Sequence, residues 1–494
     1  MLAATLSVAA SSGAQVPLTV DTSFRFYYTP EIIEYWDSVL SWDWGPAVTD
    51  VLLRNNGEVM LMGGNVMPLN EIPWGGNRSL IVNAQGQPEY FMGSFGAGQL
   101  IELPSTNQYF NPGVSKRFNY DSSLDFTFGM ASIAYQERAI GSWQIFPDRS
   151  GIVAGLYRIS ANTPRDIVLI KMDQWGEWDS TWTPRRAAGW GEPYGQMLFP
   201  LSNGQYLFNG SWTSYEGRPS GTLIRIEGDG TQDTAFYFPS WKSDIAAIYE
   251  QPDGKVILGG RIWMNGIADT LHLVRVNADG SLDPTFNNYL DFRSGTHAYS
   301  SMICGVSVLV PLDAQRVIVG GHFTTIDGIT RGCIACVDYT GNLLDCWQEG
   351  GLHPVGYTQS GTPLFYLTSI KCLGNGDCYL YGQYKGLSDA NGYHANQVLV
   401  SKIHMTVVGV DEQVSTGSDL RVWPNPGAGI LYIDWGGRPI WELEVRDALG
   451  RVAMKRTSVL DNNPIDVSSL ATGTYTVLAR NKQGERAVTK WVKP

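Results

Sequence analysis

Residues 251–286, QPDGKVILGGRIWMNGIADTLHLVRVNADGSLDPTF, alternate short apolar runs with polar turns. Apolar and β-branched residues on both sides of Asp253-Gly254 predict one strand pair, and those around Asp279-Gly280 predict a second. Asp-Gly fits a two-residue type I′ hairpin turn, which needs positive φ at both central positions. Four short strands of this kind make a small antiparallel sheet that cannot bury its own faces. It has to be stacked against copies of itself.

Aligning both turns locates the copies. The first turn recurs at Asn56-Gly57, Ser105-Thr106-Asn107, Ser150-Gly151, Asn203-Gly204, Asp253-Gly254, Asp313-Ala314 and Asn375-Gly376, at intervals of 44 to 62 residues. The second recurs at Asn83 to Gly86, Asn119 to Ser122, Asp173 to Gly176, Glu227 to Gly230, Asn277 to Gly280 and Asp338 to Gly341. An acid and an aromatic follow it: Asp125 and Phe128, Asp179 and Trp182, Asp233 and Phe236, Asp283 and Phe286, Asp345 and Trp347. The compact second copy is recognised because LPSTNQYFNPG from Leu103 lines up with LSNGQYLFNG from Leu201. The count is seven. The seventh copy stops after a third strand, Gln397 to His404, whereas Asp21-Thr22-Ser23-Phe24 repeats the pattern of Asp283-Pro284-Thr285-Phe286. An N-terminal strand is therefore expected to complete the last blade, which closes a ring of sheets and removes its open edge. The expected fold is all-β: a seven-bladed β-propeller of four-stranded blades over residues 15–408.

The run DGK-apolar-GG, followed by apolar-Arg-apolar-Asn-x-Asp-Gly-x-x-Asp-x-x-Phe, resembles the delta-60 repeat family. The match is close at Asp253 to Phe286 and good at Gly320-Gly321-His322-Phe323 with Asp327-Gly328. It is weaker elsewhere, with Ala314 and Ser122 standing where the family has glycine. The resemblance implies a β-propeller over residues 21–408, and it carries no common activity.

The segment 409–418 is polar and repeat-free and reads as a linker. Residues 419–494 then alternate strands with Pro, Gly and Asn turns, as in a compact β-sandwich. This segment resembles the C-terminal sorting domain of the type IX secretion system. The signature is carried by Pro424-Asn425-Pro426, Asp447-Ala448-Leu449-Gly450-Arg451, Ile465-Asp466-Val467 through Leu470, Gly473-Thr474-Tyr475, and Lys490-Trp491-Val492-Lys493. It implies export across the inner membrane and passage through the outer membrane of a Bacteroidota-type bacterium. The partners it implies are the secretion machinery and a surface sortase. Gly473 is expected to give backbone clearance before the last strand pair.

Composition narrows the partners. Lys plus Arg is 35 and Asp plus Glu is 47, a formal charge of −12, with no basic run, which argues against nucleic acid and anionic membrane. No apolar stretch is long enough for a membrane-spanning helix. Residues 1–14 read as the apolar and small-residue end of a signal peptide whose basic start is missing, so the true start is expected upstream. All six cysteines lie between Cys304 and Cys378. Cys372 and Cys378 flank one hairpin turn, Cys336 and Cys346 another, and Cys304 and Cys333 remain, giving three expected disulfides.

Reactive groups do not converge. The histidines, His272, His297, His322, His353, His394 and His404, have no metal-ligand spacing, and no nucleophile or phosphate-loop motif is present. No cofactor, metal or catalytic residue is assigned. Acids that recur in each repeat make turns. The repeat-breaking acids Glu31, Glu34, Asp37 and Asp43, interleaved with Tyr35, Trp36, Trp42 and Trp44, are the candidates for chemistry if the chain is a polysaccharide-active hydrolase or lyase. Loop aromatics (Trp74, Trp212 and Trp263 foremost, then Trp175, Trp178, Trp190, Tyr215 and Tyr393) suit recognition of a glycan or a protein by stacking. The leading expectation is a secreted, monomeric binding module; a structural surface component is the third reading.

Overall fold

The computed structural model describes residues 18–26, 47–54, 58–64, 78–92, 100–103, 108–111, 116–121, 123–128, 141–146, 148–158, 162–189, 191–294, 305–312, 315–345, 351–354, 356–357, 363–372, 377–389 and 391–405 of one compact unit, Met1–Val407. In a second unit, Val408–Pro494, it describes 420–424, 427, 429–435, 440–446, 452–459, 464–481 and 486–493. Every regular element among the described residues is a strand.

The repeat at 251–286 forms the sheet Ser240–Glu250, Val256–Met264 and Leu271–Val276, paired antiparallel in that order. Its turns are tighter in logic than a type I′ turn. Gly254 alone takes positive φ (82°), and its N–H bonds to Gln251 C=O at 2.9 Å while Gln251 N–H bonds to Lys255 C=O. The same pattern closes Asn277 to Gly280. This is a type I turn ended by a left-handed glycine bulge, so the aspartate needs no positive φ. It bonds forward instead: Asp279 Oδ1 accepts from Ser281 N–H at 2.9 Å.

The paired glycines have a second purpose. Three inner strands carry a bulge at this position: Ile245/Ala247 faces Gly260, Val306/Val308 faces Gly321, and Leu367/Ser369 faces Gly382, which follows Tyr381. A Cβ on Gly260 would lie 2.3 Å from Asp244 O, and one on Gly321 would lie 2.2 Å from Gly305 O. Only glycine lets the inner strand approach that closely.

Neighbouring sheets are stitched by equivalent contacts. Arg117 Nη1 donates to Gln174 O at 2.8 Å, Arg225 Nη1 to Ala278 O at 2.5 Å, and Arg275 Nη1 to Tyr339 O, each reaching the second turn of the next repeat. The backbone repeats the message, with Tyr237 N–H on Asp279 O and Asn287 N–H on Thr340 O. The apolar cores lie between sheets: Leu207 and Leu223 of one repeat pack with Leu258 and Val274 of the next, and Ile257 and Leu273 pack with Val306 and Val317.

The series closes on itself. The strand Leu18–Val20 pairs with Gly392–Met405, and Lys402 Nζ meets Asp21 Oδ2 at 3.1 Å, as Arg275 meets Asp283 at 2.8 Å. Arg25 N–H then bonds to Gln85 O at 2.8 Å, the link to the next repeat seen at Tyr237 and Asn287. Phe24, Phe26, Val51 and Leu80 share one core with Tyr379, Tyr381 and Val398. The architecture is an all-β propeller.

Cys372 and Cys378 are bonded across their hairpin, with Cα atoms 4.0 Å apart. Cys304 and Cys346 lie outside the described residues, as do the N-terminal segment 1–17 and the acids Glu31, Glu34, Asp37 and Asp43 with their aromatics.

In the second unit, one sheet runs Val452–Val459, Ile440–Arg446, Gly473–Arg480 and Arg486–Lys493, and another runs Arg421–Trp423, Ile430–Asp434 and Ile465–Asp466. They share one core, in which Leu431, Ile433 and Trp435 meet Leu443, Val445, Tyr475 and Trp491.

Candidate functional site

What recurs in every repeat builds the ring, so a site should lie where the repeat is broken. One inner-strand pairing has such a break. Ser240 faces Met264 and Lys242 faces Trp263, leaving Trp241 as an extra residue in a second bulge. Among the described inner strands, no other carries a second bulge. The consequence is that Trp241 and Lys242, adjacent in a strand, are both exposed, and Trp241 is 50% accessible. A bulge re-aims a side chain in this way.

The bulge is pinned at its root. Ser240 and Ser243, both buried, flank it, and Thr222 of the preceding repeat bonds to both hydroxyls, at 2.8 and 2.6 Å. Asn209 Nδ2 adds a bond to Ser243 Oγ at 3.0 Å. Above this root Trp241 leans on Trp263, with ring centroids 6.2 Å apart and planes inclined by 47°. The Lys242 ammonium sits 4.7 Å from the Trp263 centroid, and the Arg261 guanidinium carbon sits 5.6 Å from it. Arg261 is neutralised by Asp244. Lys242 has no hydrogen-bond or ion-pair partner among the described residues, so its charge is free to meet a ligand.

The aromatic candidates from the sequence separate accordingly. Trp263 belongs to this cluster, as the brace for Trp241 and Lys242. Trp212 does not face solvent. It is 3% exposed, packs on Phe208 and Tyr215, and donates from Nε1 to Gly221 O at 3.0 Å. Its place in Asn209-Gly210-Ser211-Trp212 is that of Phe323 in Gly320-Gly321-His322-Phe323, a signal the repeat alignment already contained. Trp74 and Trp190 lie outside the described residues. Tyr215 is fully buried, whereas Trp175 and Tyr393 are exposed, Trp175 with the Arg117 guanidinium 5.9 Å from its ring and Tyr393 packed on His353 at 4.6 Å. Trp241 escaped sequence reasoning because it sits inside an apparent strand, SWKSDIAAIYE, rather than in a loop.

Several titratable groups among the described residues are held in intramolecular pairings. Burial raises the Asp125 carboxyl, but bonds from Thr127 and from Arg117, with the Arg117 charge, more than offset it and hold it at about 2. Asp283 is likewise lowered, despite burial, by Lys255, Thr285 and Arg275. His272, lowered by burial, bonds through Nδ1 to Gly260 O at 3.0 Å. His394 meets Asp389 and His404 meets Asp377, each at 2.9 Å, and His353 meets Ser388 Oγ at 2.7 Å. Among the described residues no three of His, Cys, Asp and Glu gather as a metal site would need.

In the C-terminal unit the described signature residues divide, with Ile465, Val467, Tyr475, Trp491 and Lys493 buried and Pro424, Asp466, Gly473 and Val492 exposed. Trp491 is buried and donates from Nε1 to Pro424 O at 2.9 Å, and Tyr475, its register partner, donates to Ala471 O at 2.7 Å. Lys493 is also buried, and its ammonium donates to Val467 O at 2.9 Å, Ser468 O at 2.7 Å and Leu470 O. Gly473 opens its strand at φ 153°, and a Cβ there would touch nothing within 4 Å. The glycine is required by its backbone angle and not by clearance. Lys490 pairs through its backbone with Thr476, and Asn425, Pro426, Gly450 and Arg451 lie outside the described residues.

Residues 421–493 match the family described as the secretion system C-terminal sorting domain. This segment is a type IX secretion sorting domain. It directs the protein to the cell surface or extracellular space of a Bacteroidota-type bacterium by way of the type IX machinery. Residues 251–286 match the family described as a beta-propeller domain of unknown function, DUF5122. No curated protein matches the chain. Among solved structures, the extracellular domain of the one-component system BT4673 from B. thetaiotaomicron is similar at 10% identity and TM-score 0.42, covering 97% of this chain and 58% of that one. PorZ, a surface component of the type IX secretion system of Porphyromonas gingivalis, is similar at 10% identity and TM-score 0.31, covering 91% and 60%. An alpha-L-arabinofuranosidase from Fusarium graminearum is similar at 11% identity and TM-score 0.29, covering 78% and 96%. The chain thus spans less than two thirds of the first two proteins. The propeller unit carries the exposed Trp241 cluster.

Proposed function

We propose that this is a secreted or surface-anchored binding module, a seven-bladed propeller over residues 15–408 joined by the linker 409–418 to a β-sandwich sorting domain over 419–494. The propeller presents the Trp241 cluster to a glycan. The observation that carries this reading is the second bulge. It breaks the repeat at one place only among the described inner strands, and it exposes an indole on a root held by buried hydroxyls. A rigid, half-exposed indole suits stacking on the apolar face of a sugar ring and loses little side-chain freedom on binding.

The test is a glycan-array screen of the full chain beside Trp241→Ala, with product analysis on every hit. Binding without turnover, weakened about tenfold or more by the substitution, is expected, since such a contact is worth about 1.4 kcal/mol. Turnover would replace the reading with a hydrolase or lyase and send attention to Glu31, Glu34, Asp37 and Asp43. Binding indifferent to Trp241 would place the site elsewhere.

A further inference from the structure

We infer that the ligand is an acidic saccharide, whose carboxylate is taken by Lys242 while its ring stacks on Trp241. The inference rests on the binding reading above and adds the chemical class.

The charge distribution points to it. The chain as a whole carries −12, so a free cation held at this repeat-breaking indole runs against the general balance. The neighbouring charges sort themselves. Arg261 is taken by Asp244, which leaves Lys242 as the uncommitted charge of the cluster. Its Nζ lies 4.7 Å from the centroid of Trp263, the ring that Trp241 also packs against. A lysine resting on an indole face turns only part of its ammonium toward the ring and keeps at least one N–H donor for a ligand. Trp263 has one face engaged by that ammonium and so acts as a positioning residue for Lys242, while Trp241 provides the free indole surface. An indole beside an uncommitted ammonium matches a ring that is apolar on one face and carries one carboxylate at its edge, as a uronic acid does. A neutral sugar would leave the cation unused.

The experiment measures binding of the full chain to uronate oligosaccharides (pectate, alginate and hyaluronan fragments) and to the same oligosaccharides with the carboxylates reduced to primary alcohols. Wild type, Lys242→Gln and Trp241→Ala are compared at low and high salt. The expected result is at least tenfold tighter binding of one uronate than of its reduced form, lost in Lys242→Gln and diminished by salt, with Trp241→Ala weakening both forms. Equal binding of the acid and reduced forms, unchanged by Lys242→Gln, overturns the acidic class while leaving the Trp241 site standing. Failure of every saccharide to bind wild type overturns both. A Lys242→Gln protein that keeps its preference for the acid also overturns the assignment, and because Lys242 is exposed, that variant is expected to fold.

Discussion

Gly260 and Gly254 illustrate how two glycines of one repeat answer to different constraints. Gly254 has open space around its missing Cβ and needs only its φ of 82°, so Gly254→Ala is expected to cost about 1 kcal/mol. Gly260 combines positive φ with a backbone oxygen 2.3 Å from where Cβ would stand, and Gly260→Ala is expected to cost about 3 kcal/mol or prevent folding. Urea unfolding of the two variants separates them, and equal losses would contradict the close-approach explanation. Lys493 supports a second prediction at this scale. Its buried ammonium ties three carbonyls of the 467–470 turn, so Lys493→Met should destabilise the sorting domain by about 2 kcal/mol. Hydrogen exchange across residues 465–480 would report it, and unchanged protection would argue that Lys493 acts only as a surface contact. The Asp-Gly turns were legible in the sequence because a turn is decided by four or five consecutive residues. Their bulged type was not, because Asp-Gly suits both geometries.

The ion pairs belong to whole elements, since each ties an outer turn to the strand beside it. Asp125, held at about 2 against an ordinary 3.8, stabilises the fold fully above about pH 4 and loses that contribution as pH falls toward 2. Asp21, Asp233 and Asp283 are lowered in the same direction. The propeller should therefore show a urea midpoint that is flat above pH 5 and drops below pH 4. The Asp125→Asn, Asp283→Asn double variant should start lower and drop less steeply. An unchanged profile would mean that other groups govern acid unfolding. The closing strand makes the sharper test. Leu18–Val20 is held by pairing to Gly392–Met405, by Val20 N–H on Asp389 Oδ2 at 2.8 Å, and by Gln397 Nε2 on Phe24 O at 3.0 Å. Removing residues 1–28 strips these contacts and reopens an edge, so the truncated chain should aggregate or lose cooperative unfolding. Unchanged thermal unfolding of that truncation would refute the closure. This pairing was legible only through the repeat, because Asp21 and Lys402 lie at opposite ends of the propeller and nothing local joins them.

For the whole molecule, the ring and the address are both repetitive or local messages, and both could be read from the chain. Seven first turns and six second turns, five of the latter followed by an acid and an aromatic, lead to stacked antiparallel sheets because a lone sheet of this size cannot bury its faces. The sorting segment is likewise recognised from consecutive residues, and part of its signature is core: Trp491, Tyr475 and Lys493 are interior. The binding surface could not be read so. Trp212 and Trp241 look alike as indoles near strand ends, yet one fills the gap between sheets and the other stands in solvent. What separates them is a one-residue bulge, set by how Ser240 and Ser243 meet Thr222 of the preceding repeat. Sequence alone determined the repeating sheet and the route of export, because those depend on turns and side-chain periods within a few residues. Only the tertiary structure decided which aromatic is displayed and which lysine stays unpaired, because exposure and charge neutralisation depend on neighbours that are distant along the chain.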